Sequence, residues 1–167
     1  MRDRLSIEEY RDELLRLVAR ITDVETVSLD RADGRTLARP VTAATAVPVF
    51  ANSAMDGFAV HETDRHWGAE LSVVGTVAAG SPADPAMGPG ECVRIMTGAP
   101  LPSQADAVVP VELTEESGGI IRIVEEPGGK NHIRAAGEDF LAGAEVLPAG
   151  LRLGPRALGV AAACGQG

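Results

Sequence analysis

Apolar residues near the start of the chain fall at helical spacing. Ile7, Tyr10, Leu14, Leu17, Val18 and Ile21 recur every three or four positions and so share one face of a helix over 6–21. Ser6 and Glu9 supply an S-x-x-E capping box at its start. Asp12 and Arg16 make a favourable i,i+4 pair on the other face. Such a helix packs on its own domain, on a partner, or on a domain outside this chain, and the pattern leaves these open. Further on, Val27 and Leu29 alternate with polar residues and predict a short strand, and Asp33-Gly34 marks a turn. From about residue 48 the texture changes. Short β-rich runs, Phe58–Val60, Leu71–Val77, Cys92–Met96, Ala107–Leu113 and Ile120–Val124, alternate with Gly and Pro, and Gly118-Gly119 joins the last two as a hairpin. No helical period of useful length lies between them. Towards the end, glycines bracket short runs and Leu158–Cys164 reads as a last helix. The predicted class is α+β: an N-terminal helix and flanking mixed segments, 1–47 and 138–167, around an inserted β-rich domain over 48–137.

Composition narrows the functions. At 167 residues the chain is one domain or two small ones. A chain of that size buries about 70 % of its unfolded surface, and needs neither disulfide nor metal to fold. A net charge of −9 excludes coating of nucleic acid or anionic membrane by bulk attraction. Aromatics at 3 % argue against stacking platforms for single strands. There is no apolar run long enough for a membrane span, and charge throughout the first 20 residues excludes a secretory signal. Cys92 and Cys164 match no metal spacing and read as reduced thiols, with a disulfide between them as the alternative, so a cytoplasmic protein is expected. The close, Ala163-Cys164-Gly165-Gln166-Gly167, carries no charge and reads like a cut in a longer chain.

Three segments can carry chemistry. In 48–60, Asn52, Ser53 and Asp56 precede Gly57; the run is either a tight turn between two short strands or a loop presenting Ser53 and Asp56, with the carboxylate able to hold Mg²⁺. In 94–102, a strand runs into a Gly turn stiffened by two prolines, where the Thr97 hydroxyl and nearby amides could meet an oxyanion or phosphate. The bland alternative is a strand-ending turn, and no lysine follows to make a P-loop. In 130–139, an extended backbone would place Lys130, His132 and Arg134 on one face, followed by the carboxylates Glu138 and Asp139. Cations for phosphate beside carboxylates for a metal suit phosphoryl chemistry, and solvated charge at a domain junction is the alternative. His61 and His66 match no ligand spacing and read as surface residues.

Together these segments resemble the MoeA family, the molybdopterin molybdenumtransferases, which includes the C-terminal region of gephyrin. The likeness rests on P-x-F-x-N-S-A-M-D-G-F-A-V at 48–60, G-E-x-x-R-I-M-T-G-A-P-L-P at 90–102, D-A-V-V at 106–109 and N-x-I-R-x-x-G-E-D at 131–139. The resemblance implies insertion of molybdenum, delivered as molybdate, into adenylylated molybdopterin, with Mg²⁺ required and AMP released. It implies catalytic roles for Asp56, Thr97 and Asp139, with Asp56 and Asp139 as metal ligands, and substrate contacts from Ser53, Gly98 and Arg134. A homodimer of the full-length enzyme is implied as well. The family's pterin-binding Rossmann-like domain and C-terminal β domain have no counterpart here, so part of a site and no activity in isolation are expected. Two readings compete with this one. The first is a non-catalytic dimerisation or partner-binding module of the same fold; the second is a self-contained Mg²⁺ phosphohydrolase built on Asp56 and Asp139.

Overall fold

The computed structural model describes residues 5–19 and 21–167. Helix α1 spans Ile7–Leu17 and starts as its capping box predicts. The Ser6 Oγ accepts from the Glu9 amide at 3.2 Å, and the Glu9 carboxylate accepts from the Ser6 amide at 2.8 Å. It is shorter than the predicted 6–21: Val18 is already extended, and Ile21 lies beyond the helix, with Arg20 outside the described residues. No residue of α1 is buried, so no packing holds a further turn against fraying. Asp12 pairs with its neighbour Arg11 at 3.0 Å instead of Arg16. Of the three open packings, the first is not seen among the described residues: the helix is not buried on its own chain.

After α1, the predicted strand at Val27 and Leu29 is absent; Leu29–Arg31 form a 3₁₀ turn. Two alternations are too few to specify a strand without a neighbour to pair with. The strands run β1 Val41–Thr42, β2 Asn52–Ser53, β3 Gly57–Val60, β4 Glu70–Val77, β5 Glu91–Ile95, β6 Ala107–Pro110, β7 Thr114–Ser117, β8 Ile120–Ile123, β9 Ile133–Arg134 and β10 Glu145–Leu147, and α2 Pro155–Ala163 closes the chain. The architecture is α+β, two helices with a curled mixed sheet, as the pattern predicts.

Six strands form that sheet in the order β6-β3-β5-β4-β8-β7, antiparallel except for the β4–β5 pair. Its centre is apolar on both faces, and alternate residues serve two cores. Phe58, Val60, Leu71, Cys92, Val109, Ile121 and Ile123 fill one; Ala59, Val77, Val93, Ile95 and Val108 fill the other. The sheet curls around the first. Arg94 on β5 lies 4.7 Å over the Phe58 ring and ion-pairs with Glu116 on β7, three places along the sheet. On β4, Leu71, Val73 and Val77 all fall on odd positions, where simple alternation would put them on one face. Yet Leu71 and Val73 face the first core and Val77 the second, because the register shifts between Val73 and Gly75. Val74 is the extra residue of this bulge, and it inverts the faces beyond it. Gly118 and Gly119, at φ 60° and 80°, make the predicted hairpin turn. The partner of β8 is β7, however, since the run from Ala107 leaves the sheet at Pro110 through a 3₁₀ turn over Val111–Leu113.

A third cluster gathers Ala32, Leu147, Leu153 and Ala161 with half-buried Val27, Leu37, Val41 and Val160. It joins the chain before β2 to β10 and α2. The predicted last helix is present and begins three residues earlier, at Pro155, where a missing N–H costs nothing. Cys92 and Cys164 are free and buried, and burial pushes the Cys92 thiol up to about 12.

Candidate functional site

The segment 51–56 lies against the end of β5. The Ser53 amide donates to the Ala99 carbonyl at 3.0 Å, the Gly98 amide donates back to the Ser53 carbonyl at 2.8 Å, and the Leu101 amide donates to Ala51 at 3.0 Å. Gly57 then enters β3. The chain bends over 54–56 between two short strands, but Asp56-Gly57 closes no hairpin, because β2 and β3 belong to different sheets. Glycine serves close approach here rather than a left-handed turn: a Cβ at Gly57 would sit 2.1 Å from the Val109 carbonyl oxygen. Gly57 pairs with Ile95, so Asp56 meets the chain just past the end of β5, where Thr97 stands.

That meeting is specific. The exposed Asp56 carboxylate accepts, through Oδ1, the Thr97 amide at 2.7 Å and the Thr97 hydroxyl at 2.8 Å. The backbone bond first, and the hydroxyl second, hold the Asp56 carboxyl below the usual carboxylate range. The expectation of free amides near Thr97 is corrected by the same geometry. The amides of Thr97, Gly98 and Ala99 donate to Asp56, Ser53 and Met96, and the Thr97 hydroxyl proton is also engaged. What the pair offers outward is oxygen lone pairs, on Asp56 Oδ2 and Thr97 Oγ1. This is a donor set for a hard cation rather than an anion.

Arg134 reaches this region through β9, which pairs with β2 and sets Arg134 opposite Asn52. It is exposed and makes no ion pair among the described residues. Lys130, His132 and Arg134 do not share the predicted strand face. His132 takes φ 54°, and only Ile133–Arg134 are extended in a strand. The strap is bent because it is tied at several points. The His132 carbonyl accepts from Ala54 at 2.9 Å, the Asn131 carbonyl accepts from Val108 at 2.9 Å, and the Arg65 guanidinium donates to the carbonyls of Gly128 at 2.7 Å and Lys130 at 3.1 Å. Arg65, paired with Glu62, is the tie that sequence reading missed; nothing in the charged stretch around it distinguishes it from solvated surface. The carboxylates after Arg134 separate in role. Glu138 caps its own turn, accepting from the Ala135 amide at 3.0 Å, while Asp139 is exposed and donates its amide to Val47 at 2.9 Å. Among the described residues no three His, Cys, Asp or Glu side chains converge as a metal cage. Asp56 Oδ2 and Thr97 Oγ1 are the oxygens that could help hold a Mg²⁺, which commonly takes one or two carboxylates with its remaining oxygens from water or phosphate. An open groove of about 580 Å³ lined by Glu70, Glu115, Glu116, Ser117, Ile120 and Arg122 includes none of these residues.

The sequence matches a known family, described as the MoeA N-terminal region (domain I and II), over residues 5–165. The chain belongs to the MoeA N-terminal family. Among its relatives, the molybdopterin molybdenumtransferase 2 of Mycobacterium tuberculosis is 41 % identical over 145 residues, which is 84 % of this chain and 36 % of that protein. The molybdopterin molybdenumtransferase of Haemophilus influenzae is 36 % identical over 162 residues, 96 % of this chain and 40 % of that protein. The crystal structure of the molybdopterin biosynthesis moeA protein from Pyrococcus horikoshii OT3 superposes with a TM-score of 0.85 at 30 % identity, covering 93 % of this chain and 43 % of that one. The MoeA-type chain described here thus spans well under half the length of these relatives. No helix among its described residues is long and apolar enough to cross a membrane.

Proposed function

We propose that this chain is the N-terminal part of a cytoplasmic molybdopterin molybdenumtransferase, which inserts molybdate-derived molybdenum into adenylylated molybdopterin and releases AMP. One observation carries the reading. An exposed carboxylate is pinned by two Thr97 donors with its second oxygen left free, on a chain whose relatives are named for that transfer. Asp56 and Thr97 form the cation-holding half of the site, with Asp139 as a second carboxylate. Mg²⁺ held there would neutralise charge on the leaving adenylate phosphate. Arg134, a fork of donors with no ion pair among the described residues, orients molybdate or phosphate oxygens, and Gly98 keeps the backbone beside Thr97 free of a side chain. Residues 48–137 form the inserted unit carrying Asp56, Thr97 and Arg134, and 1–47 with 138–167 form the flanking one, which brings Asp139. The other half comes from the remaining length of the enzyme, acting as a homodimer, so the chain alone is inactive.

The test joins residues 5–165 to the remainder of the Mycobacterium tuberculosis relative and follows AMP release from adenylylated molybdopterin with molybdate and Mg²⁺. The chimera turns over. Asp56→Asn still folds cooperatively and loses transfer by at least about a hundredfold, the range for removing a positioned charged group. Unchanged turnover in Asp56→Asn would remove Asp56 from the mechanism.

A further inference from the structure

We propose that Ser53 is the positioning residue of the Asp56–Thr97 pair and does not itself touch substrate. The inference rests on the reading of that pair as the working half-site. Ser53 has no exposed surface, so no ligand can meet its hydroxyl. The hydroxyl is fully engaged with Met55, the residue before Asp56: its Oγ donates to the Met55 carbonyl and accepts the Met55 amide at 3.2 Å. The backbone of the same residue holds the opposite loop. Its carbonyl receives the Gly98 amide and its amide donates to Ala99, the two residues that follow Thr97. One buried residue therefore fixes both members of the pair, Asp56 through its side chain and Thr97 through its backbone.

The surroundings supply no substitute for that hydroxyl. The neighbouring Asn52 amide donates to Phe50, away from Asp56, and Ala54 is tied to His132. Losing the Ser53 hydroxyl leaves both polar groups of Met55 without their partner in a half-buried loop. The loop 54–56 then swings about the ends of β2 and β3, and the Asp56 carboxylate spends part of its time away from the Thr97 donors. A loss of packing alone would instead loosen the whole sheet.

Two readouts on the 167-residue chain separate these outcomes: amide hydrogen exchange, and the carbon-13 titration of the Asp56 carboxyl. In Ser53→Ala the amides of Met55 and Thr97 are expected to exchange about tenfold faster relative to that of Val93 in the core, as for a local opening. The Asp56 titration is expected to move up, toward the ordinary carboxylate value. Val108→Ala, a cavity in the second core, is the control; it speeds exchange throughout and leaves the Asp56 titration in place. Should Ser53→Ala not fold, Ser53→Cys, close in volume with a weak donor, is read by the same criteria. The proposal is overturned if the folded Ser53 variant titrates Asp56 at the wild-type position, or if its Thr97 and core amides quicken equally. Neither readout depends on turnover, so a failure here is distinct from active chimeras carrying Asp56→Asn.

Discussion

The sheet and the flanking cluster are sealed to different degrees. Phe58, Val60, Cys92, Val93, Ile95, Val108, Val109, Ile121 and Ile123 have no exposed surface, whereas Leu147 and Leu153, the most enclosed large side chains of the flanking cluster, each keep 7 %. Around those two, most of the flanking cluster is only half-buried. α1 contributes nothing to either: Ile7 is 84 % and Leu17 80 % exposed. A sheet apolar on both faces is stable through its own burial, while the flanking cluster and the uncovered helix carry apolar surface that their own chain leaves in water. Asp56 and Thr97 lie on the sealed side of this contrast, in the chain just before β3 and just after β5.

The contrast can be broken most severely at Gly57. A methyl there meets the Val109 backbone, and Gly57→Ala should cost about 3 kcal/mol or more, read as the loss of urea midpoint, because backbone cannot step aside as a side chain can. Truncation sharpens the comparison next. Phe58→Ala should cost about 4 kcal/mol, whereas Leu153→Ala, in the half-open cluster, should cost about 2 kcal/mol, measured by the same titration. Equal losses would mean the two units are sealed alike.

Acid should loosen the loops of the sheet before its core. Asp56, Glu62 and Asp84 are all held below their ordinary values, by the Thr97 bonds, the Arg65 side chain and the Ser103 bonds respectively. A carboxyl lowered in the folded state adds stability above its unfolded value of about 4, and that stability is lost as pH falls through the lower folded value. The melting temperature is therefore expected to fall between about pH 5 and 3. Asp56→Asn, Glu62→Gln and Asp84→Asn combined should flatten that fall. The smallest effect belongs to α1: Ile7→Ala in this chain should change stability by less than about 0.5 kcal/mol. A larger loss would mean that the helix face is covered after all.

The same contrast marks how much was legible in the amino-acid order. The long strands could be read because Phe58–Val60, Cys92–Met96 and Ile120–Val124 are short apolar runs cut off by Gly, Pro or charge, and two successive glycines announce the β7–β8 turn. β7 itself could not: Thr114-Glu115-Glu116-Ser117 has no apolar pattern, being an edge strand that exists by its hydrogen bonds to β8. β1, β2, β9 and β10 are two or three residues long and paired across some 80 to 106 positions, information that no local window holds. At the site, Asp56 and Thr97 stood out by type and motif. That they touch, and that their contact consumes the donors expected for an oxyanion, follows only from the pairing of β3 with β5. Asp56-Gly57 misled as a hairpin turn because glycine was needed for space. His132 gave no warning of its left-handed backbone, which tertiary ties impose.

The single extra residue at Val74 carries a mechanical consequence. Because β4 changes faces part-way along, its first half is anchored in one core and its second half in the other. Neither core can be opened without dragging the same strand out of its neighbour. The two share one fate on denaturation, and the loops that present Asp56 and Thr97 inherit the stability of both.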